Sequence, residues 1–228
     1  MPLLFDPAPI PTLAVDGSEL RLPVHRIYCI GRNYAEHARE MGASLDRAQP
    51  LFFCKPADAI VTGDADVAYP LATSELHHEV EMIVALASGG RDIPLERALD
   101  CVFGYGVGLD LTRRDLQAVA KSGGRPWDVA KAFDQSAPVS ALRPAMAIGH
   151  PKRARLSLEV NGVERQAADI DEMIFAVPEI IAELSQLFEL KPGDLIFTGT
   201  PAGVAALQRG DRFRAELKDV AILHGRIV

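Results

Sequence analysis

One stretch, Ser74 to Ala87, constrains this chain more than any other. It reads SELHHEVEMIVALA. From His78 onward the apolar residues Val80, Met82, Val84 and Leu86 fall at every second position, the period of a β-strand. Glu79 and Glu81 then share the opposite face with Ile83 and Ala85. Two carboxylates side by side on an otherwise apolar strand repel each other and are costly to desolvate. Such a strand has two outcomes. It lies at a sheet edge with both glutamates in water, or the pair holds a hard divalent cation, which accepts two or three carboxylate oxygens and keeps positions open for water or substrate.

The flanking segments supply further polar groups. Arg26 to Ile30 reads as a buried strand ending at Gly31. Asn33 is placed to N-cap a helix through Met41, which Gly42 would end. On that helix His37 and Glu40 lie three residues apart and share a face, either as a surface pair or as a base oriented by a carboxylate. Residues 43–50 read as a loop, Leu51 to Cys54 and Ala59 to Val61 as short strands, and Pro94 to Asp100 as a short helix. Gly104, Gly106 and Gly108 do not have dinucleotide-loop spacing. Glycines in a strand permit close approach of another backbone or a ligand. Asp110 closes that strand as a third candidate metal ligand. A helix follows to about Lys121, with Arg114 and Gln117 on one face. Residues 122–130, with Trp127, read as a loop before Lys131, whose ordinary fate is solvation.

In the last third, Asn161-Gly162 between apolar runs predicts a β-hairpin with a type I′ turn. Val177 to Leu190 reads as an amphipathic helix with Ile180, Ile181, Leu184, Leu187 and Phe188 as its core stripe. A buried strand, Leu195 to Thr198, feeds Gly199-Thr200-Pro201-Ala202-Gly203, either a tight turn or a carboxylate cradle of backbone N–H groups and hydroxyls. Arg212 to Val228 reads as two closing strands. Strands outnumber helices and are not regularly interleaved with them. This predicts an α+β architecture with a largely antiparallel or mixed sheet.

Composition excludes several classes. The 228 residues carry a net charge of −7, the opposite of the basic surplus of nucleic-acid binders. No apolar run reaches the ~20 residues that span a bilayer, and the N-terminus MPLLFDPAPIP lacks the basic start of a signal peptide. Cys29, Cys54 and Cys101 are odd in number and far apart, which predicts reduced thiols and a cytoplasmic setting.

The ordered set Arg32-Asn33-Tyr34, His37, Glu40, Lys55-Pro56, His78-Glu79-Val80-Glu81, Gly108-Leu109-Asp110, Arg114-Asp115-Leu116-Gln117, Lys131 and Gly199-Thr200-Pro201-Ala202-Gly203 resembles the fumarylacetoacetate hydrolase family, nearest to its short acylpyruvate and fumarylpyruvate hydrolases. The resemblance spans residues 26–228 as a single catalytic domain and leaves residues 1–25 as an N-terminal lead. It implies a mixed β-roll or β-sandwich with peripheral helices, and Mg²⁺ or Mn²⁺ on Glu79, Glu81 and Asp110. It further implies a lid helix whose His37 and Glu40 activate water. Lys131 would act at the reacting centre, Arg114, Gln117 and Thr200 would bind a small keto-acid, and the chain would form a homodimer. The implied reaction is hydrolysis of the C–C bond of an acylpyruvate, 3-fumarylpyruvate foremost, in aromatic-ring degradation. An oxaloacetate decarboxylase or a dienoate isomerase would use the same metal site. A non-catalytic keto-acid binder is the alternative of another class.

Overall fold

The computed structural model describes residues 3–40 and 49–228. The expected helix end at Met41–Gly42 and most of the 43–50 loop lie outside the described residues. In chain order the first elements are β1 (Thr12–Ala14), β2 (Arg21–Pro23), β3 (Ile27–Gly31), α1 (Ala35–Glu40), β4 (Leu51–Lys55), β5 (Ile60–Thr62), β6 (Asp66–Val67), β7 (Leu76–His77) and β8 (Val80–Leu86). The middle of the chain supplies β9 (Val102–Leu109), β10 (Thr112–Arg113), α2 (Arg114–Ser122), α3 (Asp128–Lys131), β11 (Ala137–Val139), β12 (Arg143–Pro144) and α4 (Ala145–Ile148). The last third gives β13 (Arg155–Val160), β14 (Val163–Asp169), α5 (Val177–Leu187), β15 (Leu195–Phe197), β16 (Arg212–Leu217) and β17 (Ala221–Ile227).

The architecture is α+β, as expected. One sheet has the order β4-β3-β15-β8-β9-β11-β5, with β12 also on β9. It is mixed: β15 runs parallel to β3 and β11 parallel to β5, whereas β8 is antiparallel to both its neighbours. A second sheet, β14-β13-β16-β17-β6, packs over β8 and β9. The core lies between the sheets.

β8 occupies the centre of the first sheet and is buried on both faces, which rules out the edge-strand outcome. Its alternation holds. Val80, Met82, Val84 and Leu86 join the inter-sheet core with Ile180, Ile181 and Leu184 of α5. Ile83 and Ala85 join a second cluster with Leu13 and Leu22 of the β1–β2 hairpin and with Phe197 and Val139. Gly108 shows why β9 needs glycine. A Cβ there would lie 2.8 Å from the Pro138 carbonyl oxygen, so only glycine lets that backbone approach. The Asn161-Gly162 turn has φ of 53° and 76°, as a type I′ turn requires.

Four expectations need correction. The strand does not run continuously from His78: β7 ends at His77 and β8 begins at Val80. β7 pairs with β10, which follows β9, in the same antiparallel register as β8 on β9, and Asp110 N–H donating to Glu79 O at 2.8 Å lies in the gap between the two ladders. Asn33 does not cap α1. It is fully buried, and its amide donates to Phe175 O and Thr198 O and accepts from Phe175 N–H. Lys131 ends a short helix, where a loop was expected. Leu187 is 63% exposed and outside the core stripe, because α5 stops there and Phe188, extended at φ −135°, packs inward in its place.

Candidate active site

The three expected ligand residues come from two neighbouring antiparallel strands. Glu79 immediately precedes β8, Glu81 lies on it, and Asp110 immediately follows β9. Pairing of Val80 with Leu109 and of Glu81 with Gly108 brings the three carboxylates to one end of the strand pair. Their ligand oxygens lie within 4.8 Å of one another, and all three residues are buried.

Three cations counter this charge. Lys131 Nζ donates to Glu79 Oε2 at 2.8 Å and to Asp110 Oδ2 at 2.6 Å. Arg114 Nη2 donates to Glu79 Oε1 at 2.5 Å. Lys55 Nζ lies 2.8 Å from Asp110 Oδ1 but off the hydrogen-bond line, so that oxygen keeps an unclaimed lone pair. Lys55 spends its hydrogen bonds on the carbonyls of Leu111 and Lys131.

The charges are shared unevenly. Burial would push Glu79 up, yet Lys131 and Arg114 overcome it and hold the carboxyl far below its ordinary range. Burial, then Asp110 and Glu79, push Glu81 well above its ordinary range. Burial disfavours the Lys131 ammonium, but Asp110 and Glu79 outweigh it and raise its pKa. A buried all-oxygen trio with one member unable to ionise cheaply and one orphaned oxygen fits a hard divalent ion.

Opposite the trio stands α1. His37 is buried and lines the same pocket, and its Nδ1 lies 3.3 Å from Glu40 Oε2. An Nδ1–H bonded to that carboxylate leaves Nε2 as the free basic nitrogen. Burial lowers the His37 pKa, with Glu79 and Glu40 partly opposing it. The base is therefore neutral at physiological pH. Glu40 also accepts from the Gly203 N–H.

The Gly199–Gly203 turn is not a free cradle. Gly199 N–H donates to Glu81 Oε2 at 2.7 Å, Gly203 serves Glu40, and the Thr198 hydroxyl donates to Met82 O. Gly199 has φ +92°, and a Cβ there would strike Asn33 Cβ at 2.6 Å, so glycine is required. Among the described residues the Thr200 hydroxyl hydrogen has no acceptor: its Oγ1 accepts from Gln166 Nε2 at 2.8 Å and it lines the pocket. Gln117 is buried in the same wall and accepts from Arg114 Nη1. The structure thus brings together all nine expected side chains.

Besides Lys55, sequence reasoning gave no part to two buried residues at the site. His78 Nδ1 lies 2.8 Å from Gln166 Oε1, which also accepts from Val80 N–H. Gln166 thereby links the start of β8 to Thr200 and to Pro201 O. His78 stood in a recognisable motif. Gln166, alternating with solvated residues on β14, carried no local signal.

Comparisons with known proteins match this geometry. The model of the fumarylacetoacetate (FAA) hydrolase C-terminal family matches residues 26–228. The crystal structure of fumarylpyruvate hydrolase from Pseudomonas aeruginosa in complex with Mn²⁺ and pyruvate superposes with a TM-score of 0.97 at 50% identity, covering 100% of this chain and 99% of that one. The oxaloacetate tautomerase YcgM of Escherichia coli is 42% identical over 196 residues, 86% of this chain and 89% of the relative. The mitochondrial oxaloacetate tautomerase FAHD1 of Homo sapiens is 41% identical over 189 residues, 83% and 85% of the two chains. These relatives differ in the reaction they are named for, but fold, length and family match agree from residue 26 to the last strand, and on that agreement the chain belongs to the fumarylacetoacetate hydrolase family.

Proposed function

We propose that the chain is a divalent-metal-dependent hydrolase of acylpyruvates, with 3-fumarylpyruvate as its preferred substrate and fumarate and pyruvate as products. One observation carries this reading: the neutral His37, oriented by Glu40, faces a buried carboxylate trio across one pocket. Decarboxylation needs no activated water, so a buried base beside the trio favours hydrolysis. Identity of 50% to a fumarylpyruvate hydrolase over the whole chain supports the same choice.

In this proposal Glu79, Glu81 and Asp110 would hold Mg²⁺ or Mn²⁺, which would supply Lewis-acid stabilisation of enolate charge. Thr200 donates its hydroxyl hydrogen to the substrate carboxylate. Gln117 and Arg114 orient the keto-acid end. His37 takes a proton from water as the oxygen attacks the distal carbonyl. The C3–C4 bond breaks, its electron pair passes to the pyruvate enolate, and the acyl group leaves as a carboxylate. Lys131 stabilises the enolate charge in a water-poor site, where a fixed cation is most effective. The proton on His37 is then available to the enolate carbon. The proposed assembly is a homodimer, and a cytoplasmic setting is supported by three free cysteines.

The second reading is an oxaloacetate tautomerase, favoured by the identity above 40% to two enzymes of that name. A panel of fumarylpyruvate, acetylpyruvate and oxaloacetate, followed by absorbance with Mn²⁺ and with chelator, separates the readings. Hydrolysis should dominate, vanish on chelation and be lost in Glu81→Ala. Enol–keto exchange of oxaloacetate without cleavage of either acylpyruvate would replace the hydrolase by the tautomerase. Binding without any turnover would leave a keto-acid binding protein.

A further inference from the structure

The pocket has an outer end that the proposed chemistry does not use. Four cations and three carboxylates line it. Arg114 and Lys131 are committed to Glu79 and Asp110. The other two cations are Arg32 and Lys121. Among the described residues neither side chain makes a hydrogen bond or ion pair. The Lys121 ammonium stands over the Trp127 ring, 5.2 Å from its centroid.

Their position is defined by an aromatic wall. Lys131 Nζ lies 5.0 Å from the Phe53 ring, Phe53 lies 5.8 Å from Trp127, and Lys121 stands over Trp127. From the trio outward the wall therefore runs cation, two rings, cation. Arg32 lines the same pocket in left-handed backbone at φ 61°, a conformation that costs a non-glycine residue energy and that clusters at ligand sites. Lys121 is half-buried, and its pKa is drawn down to about 8, first by burial and then by Arg114 and Arg32. The half-buried ammonium faces two guanidiniums, and Glu79, the carboxylate that acts on it, is already held by Arg114 and Lys131.

We infer that Arg32 and Lys121 form a carboxylate-binding subsite at the outer end of the pocket, selecting acylpyruvates whose acyl group ends in a second carboxylate, with Phe53 and Trp127 packing against the flat apolar segment between the two charged ends. The inference rests on the keto-acid reading of the inner site. It turns that reading into a substrate class: dicarboxylic acylpyruvates over acylpyruvates with a neutral tail.

Two seven-carbon probes test it without turnover. 2-Oxoheptanedioate carries the distal carboxylate and 2-oxoheptanoate lacks it. Neither has the 4-keto group needed for C–C hydrolysis. Isothermal titration into the Mn²⁺-loaded protein should show the dicarboxylate binding about tenfold tighter, the scale of one charge-assisted hydrogen-bond set. That ratio should fall toward one in Lys121→Met and in Arg32→Gln and should persist in Lys121→Arg, which also reports that the segment still folds. A ratio near one in the unmodified protein overturns the inference, as does a ratio unchanged in both neutral variants. Hydrolysis of fumarylpyruvate and acetylpyruvate reads the hydrolase proposal separately. Its absence for both would remove that proposal while leaving the subsite to be judged by the titration alone.

Discussion

His37 lies at the meeting of two opposing influences. Burial favours its neutral form, while Glu79 and Glu40 favour the protonated one, and burial prevails. On the proposed mechanism, activity should fall as pH drops through a value below the ordinary histidine range, because the base must be unprotonated. The same depressed pKa gives a stability term of matching sign: the unfolded chain binds the proton first, so stability is lost as pH falls below about 6.5. His37→Ala should reduce turnover by about 10²–10⁴-fold. It should barely alter binding of oxalate, which mimics the chelating end of the substrate and needs no base. Near-normal hydrolysis in this variant, measured on both fumarylpyruvate and acetylpyruvate, would remove the dyad from the mechanism. The dyad was readable from its spacing of three. The burial of Lys131 was not, since it depends on α3 turning a lysine onto two carboxylates that belong to other strands.

At the level of elements, β8 and α5 show where pattern reading succeeds and stops. Alternation on β8 sorted its two faces correctly because a central strand obeys period two over its whole length. The start of that strand was misplaced because the ladder is interrupted at His78–Glu79, where the side chains turn to the site, before β7 resumes it on β10 in the same register. On α5 the apolar stripe overran the helix by one side chain. Leu184→Ala should destabilise the fold by about 2–5 kcal/mol, since Leu184 is fully buried between the helix and the sheets. Leu187→Ala should change stability by no more than about 0.5 kcal/mol, as for an ordinary surface site. Urea midpoints of the two variants check the contrast, and equal losses would contradict this placement of the helix.

Across the whole molecule, the site is assembled from segments that chain order keeps far apart. Residues 33, 81, 198 and 199 meet because β3 and β15 run parallel and leave the sheet together, a crossover that local periodicity does not encode. The functional residue types were legible because each sits in a short motif. Their hydrogen-bond partners were not, because Gln166 and Gly203 reach them only through folding. A two-fold homodimer, the commonest closed assembly, should appear as twice the 24.7 kDa chain mass in light scattering, and a monomer at micromolar concentration would count against it. Glu40 gives the molecule one more property. The carboxylate that aims His37 is also the one that fastens α1 to the Gly203 N–H. On the proposed mechanism, readiness of the base and seating of the helix would therefore be a single event, an interlock under which water would not be deprotonated while the pocket stood open. Glu40→Gln should keep the fastening, since its amide oxygen still accepts, yet lower the His37 pKa further and move the acid limb of the rate profile to lower pH. Glu40→Ala should release both functions at once and let solvent exchange into the pocket.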